Sequence, residues 1–136
     1  ITGLSFRRFV DEIGAHPDVI LMVPSSEGIS NIVSVMGNIP NPVVITSFRY
    51  THLGELIEAI KLCPNLYVET HQINSPDFLN ILEEHVGLDR VLYGSNAPLS
   101  YMGSALMPVK RASMRDDGKH AVLAGNLERL LGGNNL

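Results

Sequence analysis

Cysteine is almost absent from the sequence. The chain has a single cysteine, Cys63, among 136 residues, so neither an intrachain disulfide nor a cysteine-based metal site is available to it. A lone cysteine is typical of a reducing compartment, and we therefore expect a cytoplasmic protein. No apolar run approaches the roughly 20 residues that a membrane-spanning helix needs, and the first residues lack the apolar core of a signal peptide. We expect no membrane partner.

Positive charge and glycine-rich motifs are scarce as well. The 10 Lys and Arg residues face 14 Asp and Glu residues, giving a formal net charge of −4, which argues against a nucleic-acid partner. No strand-like run is followed by G-x-G-x-x-G or G-x-x-x-x-G-K-[ST]. The alternative α/β fold, a nucleotide-binding open sheet, therefore has no support. No G-x-S-x-G elbow presents a nucleophilic serine.

A regular alternation of strand-like and helix-like segments is present instead. Four β-rich runs begin 24, 23 and 25 residues apart. They are DVILMVP at 18–24, PVVITSF at 42–48, NLYVET at 65–70 and RVLYGS at 90–95. Helical apolar patterns lie between them, and two more helical stretches follow near 103–115 and 117–131. This alternation predicts parallel strands with helical crossovers, adjacent in sequence order.

The number of strands limits the fold. A complete (β/α)8 barrel has eight strands and typically about 200 residues or more, whereas this chain supplies about four strands. We therefore predict an α/β fold, a partial (β/α)8 barrel formed as one domain over residues 1–136. The first residue is Ile1 rather than Met, so we expect a piece of a longer barrel. Two unpaired sheet edges, with Val43, Ile45 and Leu92 pointing inward, would favour a homo-oligomer.

Polar side chains collect where the predicted strands end. They are Ser47, Arg49, His52, Glu69, His71 and Asn96. Barrel enzymes form their sites at this end of the strands. We take Glu69, His71 and Asn96 as candidate catalytic residues. Ser47, Arg49 and His52 are candidate binding residues for a small polar or carboxylate molecule.

The third strand carries the most informative pattern. Alternation places Tyr67, Glu69 and His71 on one face, which we expect to point into the barrel. Glu69 and His71 would then lie close enough to interact. A second interpretation is equally open, in which Glu69 belongs to a structural polar layer and pairs with Arg49 or another cation. A buried carboxylate needs a partner in either case.

The histidines do not form a recognisable metal motif. Of the five histidines, only His52 and His71 lie at the predicted mouth of the barrel. They have no close ligand spacing, and a zinc site takes about three protein ligands. The residues therefore predict no metal site.

Two segments resemble a known family. The segment GLDRVLYGSNAP is similar to a strand of the amidohydrolase-related family of TIM-barrel metal-dependent hydrolases, G-x-[DE]-R-[ILV]-[ILV]-[FY]-G-[ST]-D-x-P. The matching residues are Gly87, Asp89, Arg90, Val91, Leu92, Tyr93, Gly94, Ser95 and Pro98. The segment AVLAGNLERLLG resembles the closing helix of the family through Asn126, Leu127, Arg129 and Leu130. The resemblance covers about residues 40 to 132 and implies the C-terminal half of a barrel, whose N-terminal half would carry an H-x-H motif.

The metal-binding positions that the resemblance implies are replaced in this chain. Asn96 stands where the family has a metal-binding, proton-accepting Asp, and Ser47 stands where it has a histidine. Val23 and Pro24 end the strand that would carry another histidine. Because an amide takes no proton near neutral pH, we expect a hydrolase with a degenerate metal site and no cofactor. A zinc-like divalent metal would return only with upstream ligands. The alternative is a non-catalytic barrel domain that binds a small molecule or assembles with a partner.

Overall fold

The predicted strands form a single parallel sheet in the order β1-β2-β3-β4. The computed structural model describes residues 4–132, with side chains from residue 7 onward, so residues 1–3 and 133–136 of the predicted domain lie outside the described part. The strands are β1 Leu21–Pro24, β2 Val43–Thr46, β3 Leu66–Glu69 and β4 Val91–Leu92. The predicted partial barrel of four parallel strands in sequence order is confirmed, with strands shorter than the predicted runs.

Helices precede, connect and follow the strands. They are α1 Leu4–Gly14, α2 Ile29–Met36, α3 Leu53–Leu62, α4 Asp77–His85, α5 Met102–Arg111, α6 Asp116–His120 and α7 Asn126–Leu130. A π-helical turn, Ala121–Gly125, joins α6 to α7, so these segments form the predicted last helix. Short 3-10 turns, Ser25–Glu27 and Tyr50–His52, follow β1 and β2. No helix in residues 4–132 is long and apolar enough to cross a membrane.

The two faces of the sheet are differently covered. Val43 and Ile45 are fully buried in the core beneath the helices, so the prediction that they point inward was wrong. Val44 and Thr46 lie on the barrel face instead, together with Leu92. Side chains alternate along a strand, but the VVIT run of β2 is apolar on both sides. Its periodicity could not distinguish the faces.

Polar side chains at the starts of strands bind the loops at the lower end of the sheet. Asn41 and Asn65 precede β2 and β3, and Arg90 precedes β4. Each donates to backbone carbonyl oxygens at 2.8–3.1 Å. Asn41 donates to His16 and Val19. Asn65 donates to Met36, Ile39 and Asn41, and Arg90 donates to Ile60 and Cys63. Each net hydrogen bond contributes about 1 kcal/mol. These contacts stabilise the end of the sheet opposite to the candidate site.

The edge of β4 differs from the prediction. On the side of β4 that faces away from β3, backbone groups are hydrogen-bonded to the last helix. The Tyr93 N–H donates to Val122 O at 2.9 Å, and Val91 O accepts from Asn126 Nδ2 at 2.8 Å. The expectation of two unpaired edges was therefore wrong for β4. The helix supplies polar partners where a further strand would otherwise pair.

Candidate functional site

A buried carboxylate lies at the end of β3. Glu69 is 5% exposed. Its Oε1 accepts the Ser47 N–H at 2.9 Å, and its Oε2 accepts the His71 N–H at 2.8 Å. These bonds compensate for the lost hydration of the carboxylate. Among the residues that the structure describes, Glu69 makes no hydrogen bond or ion pair with Arg49, and the His71 ring is its side-chain partner instead. The interpretation that paired Glu69 with Arg49 was therefore wrong.

The imidazole of His71 is oriented by the same carboxylate. Its Nδ1 is hydrogen-bonded to Glu69 Oε1. A carboxylate oxygen accepts hydrogen bonds, so the tautomer that matches this contact is the one with its proton on Nδ1. The Nε2 atom is then available to a molecule in the cavity that His71 lines. A base oriented by a second group is typical of sites that transfer protons.

Gly94, just after β4, makes room for this carboxylate. A Cβ atom at position 94 would lie 2.0 Å from Glu69 Oε2 and 2.9 Å from Glu69 Cδ. The Gly94 N–H donates to Thr70 Oγ1 at 3.2 Å, which joins the end of β4 to that of β3. A side chain larger than hydrogen at this position would displace Glu69.

Two residues at strand ends have left-handed backbone. Ser47 has φ 55° and Asn96 has φ 52°, and they are the non-glycine residues with positive φ in the described chain. This conformation costs roughly 1–2 kcal/mol for most L-residues and less for asparagine. The Ser47 carbonyl accepts a hydrogen bond from Ser25 Oγ at 2.9 Å, which helps to hold the turn. Backbone of this kind is concentrated at functional sites.

A cavity of about 540 Å³ lies over the barrel face of the sheet. Four of the six predicted site residues line it: Ser47, Glu69, His71 and Asn96. The remaining lining residues are Ile20, Met22, Val44, Thr46, Leu92, Tyr93, Gly94, Leu127, Leu130 and Leu131. The cavity thus joins a largely apolar floor to a polar end.

Arg49 and His52 do not line this cavity. They lie in a neighbouring groove of about 300 Å³ at the mouth, which Ser47 also lines. A second groove holds Arg49 together with His71. Both grooves therefore share a residue with the cavity, and Arg49 lines both of them.

Sequence reasoning missed several lining residues. Gly94 was assigned only to a motif, although a glycine directly after a strand can indicate close approach of another group. The last helix contributes three further lining residues, Leu127, Leu130 and Leu131. The pattern of the strands could not predict that this helix contacts the cavity. Helical periodicity predicts a buried face but does not say which surface it covers.

The described residues do not fit a resident metal ion. Within residues 7–132 there is no group of three or more His, Cys, Asp or Glu side chains able to hold one. The Glu69–His71 pair resembles the carboxylate–histidine pairs that orient metal ligands. However, a catalytic zinc site takes about three protein ligands. The other polar side chains that line the cavity, Thr46, Ser47, Tyr93 and Asn96, are hydroxyls and an amide rather than carboxylates or imidazoles.

The fold is that of a partial (β/α)8 barrel, and its structural neighbours are amidohydrolase-related decarboxylases and hydrolases. No family model matches the sequence, and no curated protein matches it. A 2,6-dihydroxybenzoate decarboxylase from Rhizobium matches with TM-score 0.74 at 13% identity, over 98% of this chain and 57% of that one. A dihydroxybenzoic acid decarboxylase from Polaromonas sp. JS666, with bound manganese and the inhibitor 2-nitroresorcinol, matches with TM-score 0.66 at 14% identity, over 98% and 55%.

A protein described as a hydrolase has a similar fold. A protein described as a 2-pyrone-4,6-dicarboxylic acid hydrolase, from Pseudomonas putida, matches with TM-score 0.70 at 19% identity, over 96% of this chain and 57% of that one. A further 2,6-dihydroxybenzoate decarboxylase structure contains 2,6-dihydroxybenzoate, with TM-score 0.74 at 13% identity, over 98% and 56%. This chain therefore spans a little more than half the length of these neighbours.

Proposed function

We propose that the chain supplies half of an amidohydrolase-related barrel whose cavity binds a small carboxylate and transfers a proton through His71, without a resident metal. The observation that carries this proposal is the Glu69–His71 pair, buried at the polar end of an otherwise apolar cavity. Hydrolase chemistry remains the reaction class that the sequence resemblance implies.

The shape and polarity of the cavity favour a ligand with an apolar body. Met22, Val44 and Leu92 supply an apolar floor next to the polar end. Small-molecule sites commonly combine such a floor with a few placed polar groups. The neighbours support an aromatic carboxylate, because one of them contains 2,6-dihydroxybenzoate.

Arg49 is the proposed anchor for the carboxylate. It shares a groove with His71 and another with His52 and Ser47. A guanidinium can bind a carboxylate through two parallel hydrogen bonds. A ligand held this way would extend from the mouth to the cavity, with its reacting group near His71.

His71 is the proposed proton carrier. In the neutral ring Nε2 has a free lone pair, so it can take a proton from a water molecule as that water attacks an acyl carbon. It then returns the proton to the leaving group as the acyl bond breaks. Glu69 fixes the ring orientation and compensates the positive charge of the intermediate imidazolium. Asn96 and Ser47 can hydrogen-bond the ligand but exchange no proton near neutral pH.

Calorimetric titration with 2,6-dihydroxybenzoate tests the proposal. We expect saturable binding to the wild-type chain, weakened about tenfold by His71→Gln or Arg49→Gln because each loses a charged or polar contact. His120→Gln, at an exposed position of α6, is the control and should bind as wild type does. Resorcinol, which lacks the carboxylate, should bind at least about tenfold more weakly. Equal binding of both compounds, or no loss in either site variant, would contradict the proposal.

Exposed apolar side chains favour a second candidate function, assembly with a partner. Met22 and Leu131 line the open cavity yet are 70% and 66% exposed. Exposed apolar clusters of this kind are typical of interaction surfaces. Light scattering distinguishes the candidates, since a concentration-dependent mass reduced by Met22→Gln would indicate assembly through this face. A monomer at all concentrations would contradict it.

A further inference from the structure

The last helix is attached to β4 through an irregular turn. In the π turn the Asn126 N–H donates to Ala121 O, five residues back, rather than four. In the same turn Val122 O accepts the Tyr93 N–H at 2.9 Å. A π turn inserts one residue into a helix and often marks a functional site. Here it directs a helix carbonyl to the edge of the sheet.

The Asn126 side chain completes this attachment. Asn126 is 1% exposed, and its Nδ2 donates to Leu88 O at 2.6 Å and to Val91 O at 2.8 Å. Its Oδ1 accepts from Arg129 Nη2 at 3.2 Å. Each polar atom of the amide therefore has a partner. The two carbonyl acceptors on one side and the Arg129 donor on the other fix which atom is nitrogen and which is oxygen.

The attached helix forms one wall of the cavity. Leu127, which directly follows Asn126, and Leu130 and Leu131 in the next turn line the cavity together with His71. We propose that Asn126 is a positioning residue, which seats the last helix on the β4 edge so that these leucines set the width of the ligand cavity. This inference rests on the proposed function of that cavity.

The same attachment protects the sheet. The Val91 carbonyl and the Tyr93 N–H would otherwise be free to pair with a strand of another chain. Because both groups are already hydrogen-bonded to the last helix, a further strand can pair with β4 only after this helix moves away. Asn126 thus controls both the wall of the cavity and the availability of the edge.

Amide hydrogen exchange tests the attachment without any ligand. In Asn126→Ala we expect the Tyr93 amide to exchange about tenfold faster or more, because the side-chain hydrogen bonds that seat the helix are lost. The Val68 amide, which donates to Arg90 O at 3.0 Å within the sheet, should change much less. Arg129→Ala, at an exposed position, removes the donor that orients the amide, at 3.2 Å, together with the bond from Arg129 Nη2 to Asp89 O at 2.7 Å. Because the first bond orients Asn126 and the second holds the last helix to the loop before β4, the variant should have the same selective effect at a smaller size.

A matched variant controls for general destabilisation. Asn65→Ala removes a comparable set of side-chain hydrogen bonds, to the carbonyls of Met36, Ile39 and Asn41. Because none of these bonds involves β4 or the last helix, the variant should not accelerate Tyr93 more than Val68. Equal acceleration of Tyr93 and Val68 in both the Asn126 and the Arg129 variants would overturn the inference.

The cavity wall is tested with 2,6-dihydroxybenzoate. We expect Asn126→Ala and Leu127→Ala to weaken its binding by about tenfold, and Asn65→Ala to leave it unchanged. If the wild-type chain binds no ligand, the proposed function fails, while the exchange pattern still decides whether Asn126 seats the helix. Unchanged affinity in Asn126→Ala, with a binding wild type, would overturn the role of Asn126 at the cavity.

Discussion

Gly94 and Glu69 are in direct apposition across the ends of β4 and β3. A Cβ atom on Gly94 would approach Glu69 Oε2 to 2.0 Å, a separation that non-bonded atoms do not adopt. The position of the buried carboxylate, and with it the orientation of the His71 ring, therefore depends on the missing side chain at residue 94.

Gly94→Ala should displace Glu69 and destabilise the fold. We expect the free energy of unfolding to fall by about 1–3 kcal/mol, the usual cost of overpacking a buried site. Urea denaturation measures this. Gly54→Ala is the control, because nothing lies within 4 Å of its added Cβ and it sits in α3. Alanine there should be neutral or stabilising by up to about 1 kcal/mol. A Gly94 variant as stable as the Gly54 variant would contradict this account of the site.

Ser47→Gly should stabilise the chain more than Asn96→Gly does. Both residues have positive φ, but asparagine tolerates this region better than serine. We expect a gain of about 0.5–1 kcal/mol for Ser47→Gly, since relief of strain exceeds the entropy that glycine adds to the unfolded chain. The same denaturation experiment reads out both variants. A loss of stability in Ser47→Gly would mean that its backbone is not strained.

Asn65→Ala should lower the free energy of unfolding by about 1–3 kcal/mol, since three loop carbonyls lose a shared donor. Thermal denaturation followed by circular dichroism gives the change. Asn38→Ala, at an exposed turn position, is the matched control and should stay within about 0.5 kcal/mol of wild type. Similar losses in the two variants would remove the special role of Asn65.

Asn96→Asp should not create a metal enzyme. The change restores a carboxylate, but both oxygens of Glu69 are already bonded to the Ser47 and His71 N–H groups and to the His71 ring. His71 Nε2 and the new carboxylate at position 96 alone fall short of the three or so ligands of a catalytic zinc site. We expect elemental analysis of tag-free protein to find neither zinc nor manganese near one equivalent, in wild type or in the variant. Near-stoichiometric metal in either protein would refute the degenerate-site hypothesis.

The sequence predicted the order of the strands better than it predicted what covers their faces and edges. The regular spacing of the four β-rich runs led to the correct parallel order, because short crossovers permit few alternatives. The faces of β2 were misassigned, since Val43 and Val44 are equally apolar. The occupied edge of β4 was also missed. It depends on a π turn and on Asn126, whose contacts with β4 connect residues 29 and 35 positions apart.

Within the site, the sequence indicated which residues meet but not how they bond. Strand alternation brought Glu69 and His71 to the same face, as the cavity lining bears out. The second interpretation paired Glu69 with Arg49 or another cation. Arg49 was wrong, because two backbone N–H groups and the His71 ring contact the carboxylate instead. Such backbone donors are invisible in a sequence, as is the left-handed turn at Ser47 that presents one of them.

The most direct test of the account is nuclear magnetic resonance of the histidine rings during titration with 2,6-dihydroxybenzoate. Because Nδ1 of His71 is held by Glu69, we predict a saturable change in the ¹⁵N shift of His71 Nε2 and a much smaller one at its Nδ1. His120, exposed on α6, should show neither. Shifts spread equally over all histidines, or none at His71 Nε2 while the ligand binds, would contradict the claim that this ring faces the bound carboxylate compound.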